Sequence, residues 1–299
     1  MPRSPELLVP VAAAGARLDA WLAAERGIPR ARAAALAHAG AVLVDGRRAA
    51  KSTRLRGGER IAVEEPAARE PDAPPPPRPA MVWEDEHMLV VDKPPGLVVH
   101  PAPGHRGQTL VELLGAGEGA SFQARAVHRL DRDTSGLMLV AKGEAVQRQL
   151  QVVLRRREVE REYLALVAGR LRSRSGTIDA PIGRDPRRRT RMSTTTDKPR
   201  EARTHFEVEE LLEGFTLVRV RLETGRTHQI RAHFSAIGHP LAGDMEYGGR
   251  LVPGLERQFL HSARLALDLP WSGVHHEWRS ELPADLRAAL EAAAGHAGS

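Results

Sequence analysis

The segment His128-Arg129-Leu130-Asp131-Arg132-Asp133-Thr134-Ser135-Gly136-Leu137 places a carboxylate, Asp131, between two arginines and just ahead of an apolar run. A guanidinium a few ångströms from a carboxylate favours its ionised form, so Asp131 reads as a nucleophile or base rather than a proton donor. The same arginines attract phosphate, which points to a polyanionic substrate. A second reading gives the segment no chemistry. Asp-x-Asp-Thr-Ser-Gly is also the composition of a turn whose short polar side chains bond their own backbone, and on these residues alone the two readings weigh equally.

A second charged position lies late in the chain. From Arg226 to Gly238, the residues Ile230, His233, Phe234 and Ile237 fall at i, i+3, i+4 and i+7, the spacing of an amphipathic helix stopped by Gly238 and Pro240. Arg231 lies beside that stripe, and a guanidinium at the edge of a buried face needs a carboxylate partner, since an unpaired buried charge is costly. Arg226 competes for the same role, and a phosphate contact is the alternative for either. His128, His228, His233 and His239 give no metal pattern: no His-x-x-x-His pair has an adjacent Glu, and the chain contains no cysteine. His128 and His228 are read as holding loops by hydrogen bonds. Ser135 lacks the Gly-x-Ser-x-Gly elbow of a serine hydrolase. Tyr163, opening an apolar strand, is by itself a core residue.

The elements that must position these groups are legible from periodicity. With 299 residues and 41% hydrophobic content the chain holds one large and one small domain. Glu65 to Ala80 is nearly free of apolar anchors, and its proline run favours extended geometry. The expected boundaries are a small domain over 1–65, a linker over 66–80, a large domain over 81–290 and a frayed tail over 291–299. In the small domain, Leu18, Trp21 and Leu22 mark one helix and Arg30 to Ala39 a second, ended by Gly40; Val42-Leu43-Val44 leads into an Asp45-Gly46 turn, and Arg60 to Val63 is a further strand. In the large domain, His87 to Asp92 runs as a strand into Lys93-Pro94-Pro95-Gly96, a turn given a structural role, with Leu97 to Pro101 continuing beyond it. Gly136 to Ala141 is a strand followed by a helix burying Val146, Leu150, Val153 and Leu154. Tyr163 begins another strand, and Gly214 to Glu223 places Val218, Val220 and Leu222 on one face. The large domain is therefore α+β with a mixed, largely antiparallel sheet.

The formal net charge is +6, carried by 44 basic residues that are mostly arginine. Basic stretches run from Arg184 to Arg191 and through Arg47, Arg48, Lys51, Arg54 and Arg56; solvated loops are the plain alternative for both. The chain has no apolar run of about 18 residues and no basic-then-apolar N-terminus, so a cytoplasmic protein is expected.

Three segments in order resemble the RluA-type RNA pseudouridine synthases. His128 to Leu137 is similar to their catalytic motif, Arg161-Glu162-Tyr163-Leu164-Ala165 to their tyrosine motif, and Glu223 to His233 to their late arginine motif; the resemblance covers about Met81 to Ala288. The small domain resembles the S4-like α/β RNA-binding domain, with Arg30 in place of a serine opening the second helix and Val44-Asp45-Gly46 in place of Val-Asn-Gly. The resemblance implies the pseudouridine synthase fold and an enzyme that needs no cofactor and no metal. It implies that Asp131 starts cleavage of the uracil glycosidic bond, by attack on sugar or base or by removing the sugar 2′ proton. Arg231 would pair with it, Tyr163 would stack on the uracil, and Arg129 would fill the gap left by the flipped nucleotide. His128, Arg226 and Ile230 would border the substrate, and Arg30, Arg32, Arg47, Arg48, Lys51, Arg187, Arg188 and Arg189 would contact RNA.

Gly176 to Arg184, the following Arg-Arg-Arg-Thr-Arg-Met, and Glu246-Tyr247-Gly248-Gly249-Arg250 look most like the subgroup acting on 23S large-subunit ribosomal RNA at helix 69. Other ribosomal uridines and tRNA are the alternative targets. A monomer is expected, because no extended apolar stripe is evident. Two other classes compete: a non-catalytic RNA-binding or assembly protein, which would not need Asp131, and a carboxylate-dependent hydrolase, for which Asp133 is the near second acid.

Overall fold

A computed structural model describes residues 6–38, 40–63, 78–101, 105, 107–115, 122–188 and 190–295. The chain forms two compact units, Met1–Pro74 and Pro75–Ser299. In the first, strand β1 (Leu7–Leu8) precedes helices α1 (Leu18–Arg26) and α2 (Arg30–His38) and strands β2 (Val42–Val44), β3 (Arg47–Arg48) and β4 (Arg60–Val63). Helix α1 buries Leu18, Trp21 and Leu22, as their spacing requires, and ends where Gly27 takes a left-handed conformation. The sheet order is β1-β4-β2-β3. Asp45 and Gly46 turn β2 into β3 with φ of 48° and 76°, the paired positive angles of a tight hairpin, which an aspartate tolerates better than most residues.

The second unit carries strands β5 (Ala80–Glu84) and β6 (Met88–Lys93), helix α3 (Leu110–Gly115), strands β7 (Ala124–Ala126) and β8 (Ser135–Lys142), and helix α4 (Glu144–Arg155). Strands β9 (Glu160–Ala168), β10 (Ser175–Asp179), β11 (Gly183–Arg184), β12 (Met192–Ser193), β13 (Arg203–Leu212) and β14 (Phe215–Leu222) follow, then α5 (Gln229–Ala236), β15 (Leu260–Asp268), β16 (His275–Arg279) and α6 (Ala284–Gly295). Ten strands make one sheet in the order β10-β13-β14-β9-β15-β8-β6-β5, with β16 beside β15 and β7 beside β8. Strand β8 is buried from Ser135 to Ala141, which is why it reads as an unbroken apolar run rather than an alternating one. Its Met138 and Val140 pack into one core with Val91 and Tyr163, while Leu137 and Leu139 pack into another against Leu150 and Val153 of α4.

Among the described residues, every pairing in the large sheet is antiparallel except one, where Ser135 and Gly136 of β8 run parallel to His261 and Ser262 of β15. This crossing is where the Asp131 loop enters the sheet. Gly136 has φ of +110°, and a Cβ there would lie 2.3 Å from the Ser262 carbonyl oxygen, so only glycine fits.

Four residues fix the loop ahead of that crossing. Lys93, with none of its surface exposed, donates to the carbonyls of Pro94, Leu97 and Arg132 at 2.8, 3.0 and 2.8 Å, which ties the Lys-Pro-Pro-Gly turn to the Asp131 loop. Burial pushes its pKa down to about 7, against the pull of Asp133. His128 Nε2 accepts the Leu139 N–H at 3.0 Å, and Thr134 N–H donates to the Asp131 carbonyl at 3.1 Å. Arg257, held by Asp285 of α6 at 2.6 Å, donates to the Asp133 carbonyl at 2.9 Å.

Several elements depart from their sequence patterns. Leu97 to Pro101 is not a strand but a loop that buries Leu97 and Val99. Strand β9 starts at Glu160, so Tyr163 lies inside it. Helix α5 buries every residue from Gln229 to Phe234, while Ile237 is 42% exposed; the helix is enclosed on its polar side too, and the expected stripe does not continue. The tail expected from 291 is helical through Gly295, with Ala293 buried. Residues 64–77, which hold most of the expected linker, and 296–299 lie outside the described residues.

Gly136→Ala is expected to cost at least about 3 kcal/mol of stability in urea unfolding, because the β8/β15 crossing must open to admit a methyl group; an unchanged midpoint would show that the backbone gives way freely. Burial and the charge of Arg161 push the His128 pKa from 6.5 to about 3, so the folded protein keeps this ring neutral. The stability it contributes is complete above pH 6.5 and is lost as pH falls towards 3, since the unfolded chain binds the extra proton in that window. His128→Gln, which keeps an acceptor for Leu139, is expected to flatten acid unfolding by about one proton. An unaltered pH slope would remove the assignment.

Candidate active site

Below the Asp131 loop the fold encloses a cleft of about 680 Å³. The Asp131 loop and Gln147, Gln151 and Leu154 of α4 line one side; Arg161 and Tyr163 come from β9; residues 222–226 and His228 to Arg231 line the other side. Asp131, 14% exposed, turns Oδ2 to within 3.4 Å of Arg231 Nη1 and Oδ1 to within 3.9 Å of His228 Nε2. The guanidinium that meets Asp131 therefore comes from 100 residues away. Its sequence neighbour Arg132 turns to Asp133 instead, at 3.0 Å, and Arg226 donates to the Glu201 carbonyl at 3.0 Å.

Asp131 is the most distant of Arg231's acidic partners. Asp244 takes Nε and Nη2 in a two-point grip at 2.7 and 2.9 Å, and Glu246 takes Nη2 at 2.9 Å. Burial opposes the charge of Arg231, but the contacts of Asp244 together with the charges of Asp131 and Glu246 outweigh it, so this guanidinium holds its proton more firmly than an ordinary arginine. Tyr247 closes the cluster. Its ring lies 4.7 Å from Arg231 Cζ and 4.5 Å from Arg191 Cζ, an arrangement in which a π face offsets two cations. Its hydroxyl meets the backbone of Met192 on β12 at 2.8 and 3.2 Å and His228 Nδ1 at 3.0 Å. Burial pushes the Tyr247 phenol up to about 12. His228, in a left-handed conformation with φ of 52°, precedes α5 and has its pKa lowered by burial against the pull of Asp131.

Tyr163 is 5% exposed. Burial raises its pKa, opposed by Arg161 and Ser262, so the phenol stays protonated. Asp131, Tyr163, Arg231, Arg129, His128, Arg226 and Ile230 all line the cleft. Asp133, the second acid that a hydrolase would need, is absent from its lining and paired with Arg132.

The basic residues read as RNA contacts divide. Arg32, Arg47, Arg48 and Lys51 are exposed on the small unit, but Arg30 turns to the buried carboxylate of Asp19 at 3.4 Å, which Arg17 also holds at 3.0 Å. Arg30 thus pins the two helices together, a task its position opening α2 does not announce. Arg187 and Arg188 are exposed between β11 and β12, with their backbone N–H groups on Asp185 at 2.8 and 3.0 Å. Arg189 lies outside the described residues. Sequence reasoning missed Asp244 and Tyr247 as part of the site, although a buried arginine demands acids and Asp244-Met245-Glu246 follows its helix closely. Among the described residues, no cluster of His, Asp and Glu is disposed to hold a metal.

The sequence profile of the RNA pseudouridylate synthase family matches residues 87–236, and that of the S4 domain matches residues 16–61. A ribosomal large subunit pseudouridine synthase D of Nitrosomonas europaea is 43% identical over 307 residues, covering 96% of this chain and 87% of that protein. A protein of the same name from Pseudomonas aeruginosa is 48% identical over 222 residues, covering 69% of each. Among solved structures, human RNA pseudouridylate synthase domain containing 1 superposes with a TM-score of 0.57 at 29% identity, covering 74% of this chain and 90% of that one. With Asp131 and Arg231 paired in a cleft on a mixed sheet, and with relatives of this identity along most of its length, the chain belongs to the RNA pseudouridine synthases, enzymes that isomerise uridine to pseudouridine within RNA.

Proposed function

We propose that this enzyme modifies the large-subunit ribosomal RNA, the 23S molecule, at helix 69, and that Asp131 opens the glycosidic bond of the target uridine. The observation that carries the role of Asp131 is its pairing with Arg231 in the cleft that Tyr163 also lines. The names of the relatives support the target, since those at 43% and 48% identity are large-subunit enzymes. RNA docks through Arg32, Arg47, Arg48 and Lys51 of the small unit and through Arg187 and Arg188, contacts that set position rather than sequence and weaken with salt. The enzyme acts as a monomer in the cytoplasm.

The target base leaves its stack at a cost of a few kcal/mol. Arg129, exposed beside the cleft, fills the vacancy, and the base enters against Tyr163. Asp131, aimed by Arg231, attacks the nucleotide or removes its 2′ proton; the uracil is released, turned and rejoined through C5. A phenol held protonated by burial is a poor base, so water serves the last proton transfer and Tyr163 stacks and orients.

Carbodiimide mapping of unmodified large-subunit RNA, as free transcript and as assembled subunit, tests both parts. Wild type is expected to give new stops in helix 69, and Asp131→Asn is expected to lose them, with a rate lower by about 10³-fold or more. Stops elsewhere would overturn the target, and equal activity of the variant would overturn the role of Asp131. Asp244→Asn, which leaves Arg231 with Asp131 and Glu246, is expected to cost about 1–3 kcal/mol of stability. It is also expected to lower kcat by at least about tenfold at unchanged KM, since the guanidinium loses its two-point grip and with it the aim of Asp131. Single-turnover rates that match wild type would show that Glu246 suffices.

A further inference from the structure

Among the described residues, the arginines buried in this fold are matched by acids or, for Arg191, by the ring of Tyr247, and Arg161 has neither. Arg231 has Asp244, Glu246 and Asp131; Arg257 has Asp285; Arg264 has Glu160, Glu162 and Glu277. Arg161 is 4% exposed and lines the cleft. Its polar contacts are Nη2 with the Leu222 and Glu223 carbonyls, both at the long distance of 3.4 Å. Its buried Nε has no partner, and among the described residues no carboxylate lies within ion-pair distance of it. The nearby titratable rings do not compensate: His128 is held neutral and Tyr163 protonated. Burial lowers the Arg161 pKa, but a guanidinium starts so far above neutrality that it remains charged. The fold therefore keeps an uncompensated cation in its active cleft, a costly arrangement that an anion must repay.

Two anions reach such a cleft, an RNA phosphate and the uracil released when the glycosidic bond breaks. Phosphates lie on the hydrated backbone of RNA, for which the cleft offers exposed arginines such as Arg129, Arg155 and Arg226. Arg161 instead lies under the backbone of residues 222–225, two positions from Tyr163, the residue proposed to stack on the base, on the same face of β9. We propose that Arg161 is a catalytic residue that stabilises the detached uracil anion. The inference rests on the proposed role of Asp131. When the C1′–N1 bond breaks, its electron pair stays on uracil, spread over N1, O2 and O4. C5 then bonds to C1′ as Asp131 leaves that carbon or returns the 2′ proton it had taken, the C5 hydrogen leaves as a proton to water, and N1 takes up a proton from water. The ring turn that brings C5 to the place of N1 runs about the N3–C6 line and exchanges O2 for O4. A donor fixed at that point meets a carbonyl oxygen before and after the turn, and the donors of a guanidinium hold the anion without protonating it.

The test compares Arg161→Met and Arg161→Lys with wild type by tritium release from [5-³H]uridine-labelled total RNA of cells lacking the enzyme. This substrate reads C5–H loss whichever stem is the target, so a wrong helix 69 assignment shows only in the purified 23S transcript. Arg161→Met is expected to slow single-turnover release by about 10²–10³-fold, and Arg161→Lys to recover at least about tenfold of that loss. RNA affinity and its salt slope, measured in an Asp131→Asn background, are expected to stay unchanged, because the anion does not exist before bond cleavage. Melting temperature of the Met variant is expected to hold or rise, since an unpaired buried charge has been removed. A salt slope smaller by about one with an intact rate would make Arg161 a phosphate contact and overturn the proposal. A fallen melting temperature or a Met variant that does not fold would overturn it in favour of a structural strut under residues 222–225, and so would a wild-type rate in that variant.

Discussion

The burial of one guanidinium among three carboxylates organises the catalytic unit. Arg231 is nearly sealed from solvent, and a charge so placed is tolerable only when its partners are close and well aimed. Satisfying it draws together three pieces of chain with no local reason to meet: the loop before β8, the start of α5, and the segment from Asp244 to Tyr247. Tyr247 extends the cluster to β12 through the Met192 backbone and to Arg191 through its ring, so the base of the arginine-rich hairpin is fixed to the same point. Such a cluster adds little net stability compared with an apolar core, but it has few alternative arrangements. It specifies where Asp131 stands.

Buried cations recur around this cleft, and the fold settles each differently. Lys93 spends its three donors on three carbonyls and so clamps the Asp131 loop from below. Arg257 takes its charge partner from α6 and uses its remaining donors on the Asp133 carbonyl and Ser135. Arg161 is left with two long contacts. The first two, with Arg231, act on backbone and carboxylate positions and make the loop rigid before substrate arrives, which is the condition for preorganised electrostatics. Rigidity of this kind explains why the sequence around Asp131 can be short and loop-like, yet aim a side chain.

Much of this was legible in the residues. The unbroken apolar run of β8, the buried face of α4, the Asp45-Gly46 hairpin and the pairing of Asp131 with Arg231 follow from pattern and family resemblance. Most of the failures lie in contacts that the order of the residues does not show. Arg132 adjoins Asp131 in the chain but points to Asp133, its partner within the turn that the Thr134 N–H closes on the Asp131 carbonyl. The helical period around Ile230 is real, yet the Asp244 to Tyr247 segment folds over the polar side of α5, so Gln229 and Arg231 are as buried as Ile230, while Ile237 emerges. The alanine-rich end of α6 shows no apolar stripe strong enough to tell a helix from a tail, but small side chains let it pack closely, and Ala289 and Ala293 are buried. Arg30 reads as basic surface because its acid partner, Asp19, lies on the preceding helix.

The charge layout also bears on why such a cleft isomerises rather than hydrolyses. A glycosidase supplies an acid that protonates its leaving group, and a neutral uracil so formed would be a weak carbon nucleophile free to diffuse away. Here the other acids in and around the cleft are engaged elsewhere: Glu201 pairs with Arg157, Glu223 with Arg157, Arg203 and His205, Asp244 and Glu246 grip Arg231, and Asp133 is turned to Arg132. Burial depresses the pKa of His228, and Tyr163 is held as a phenol whose raised pKa makes it a reluctant donor. Under the proposed role of Asp131, uracil therefore leaves as an anion among cations that attract it but do not readily give up a proton. An anion held in this way keeps electron density at C5, the atom that must next bond to the sugar. The shortage of free acids in the cleft and the retention of the base are, on this reasoning, one property.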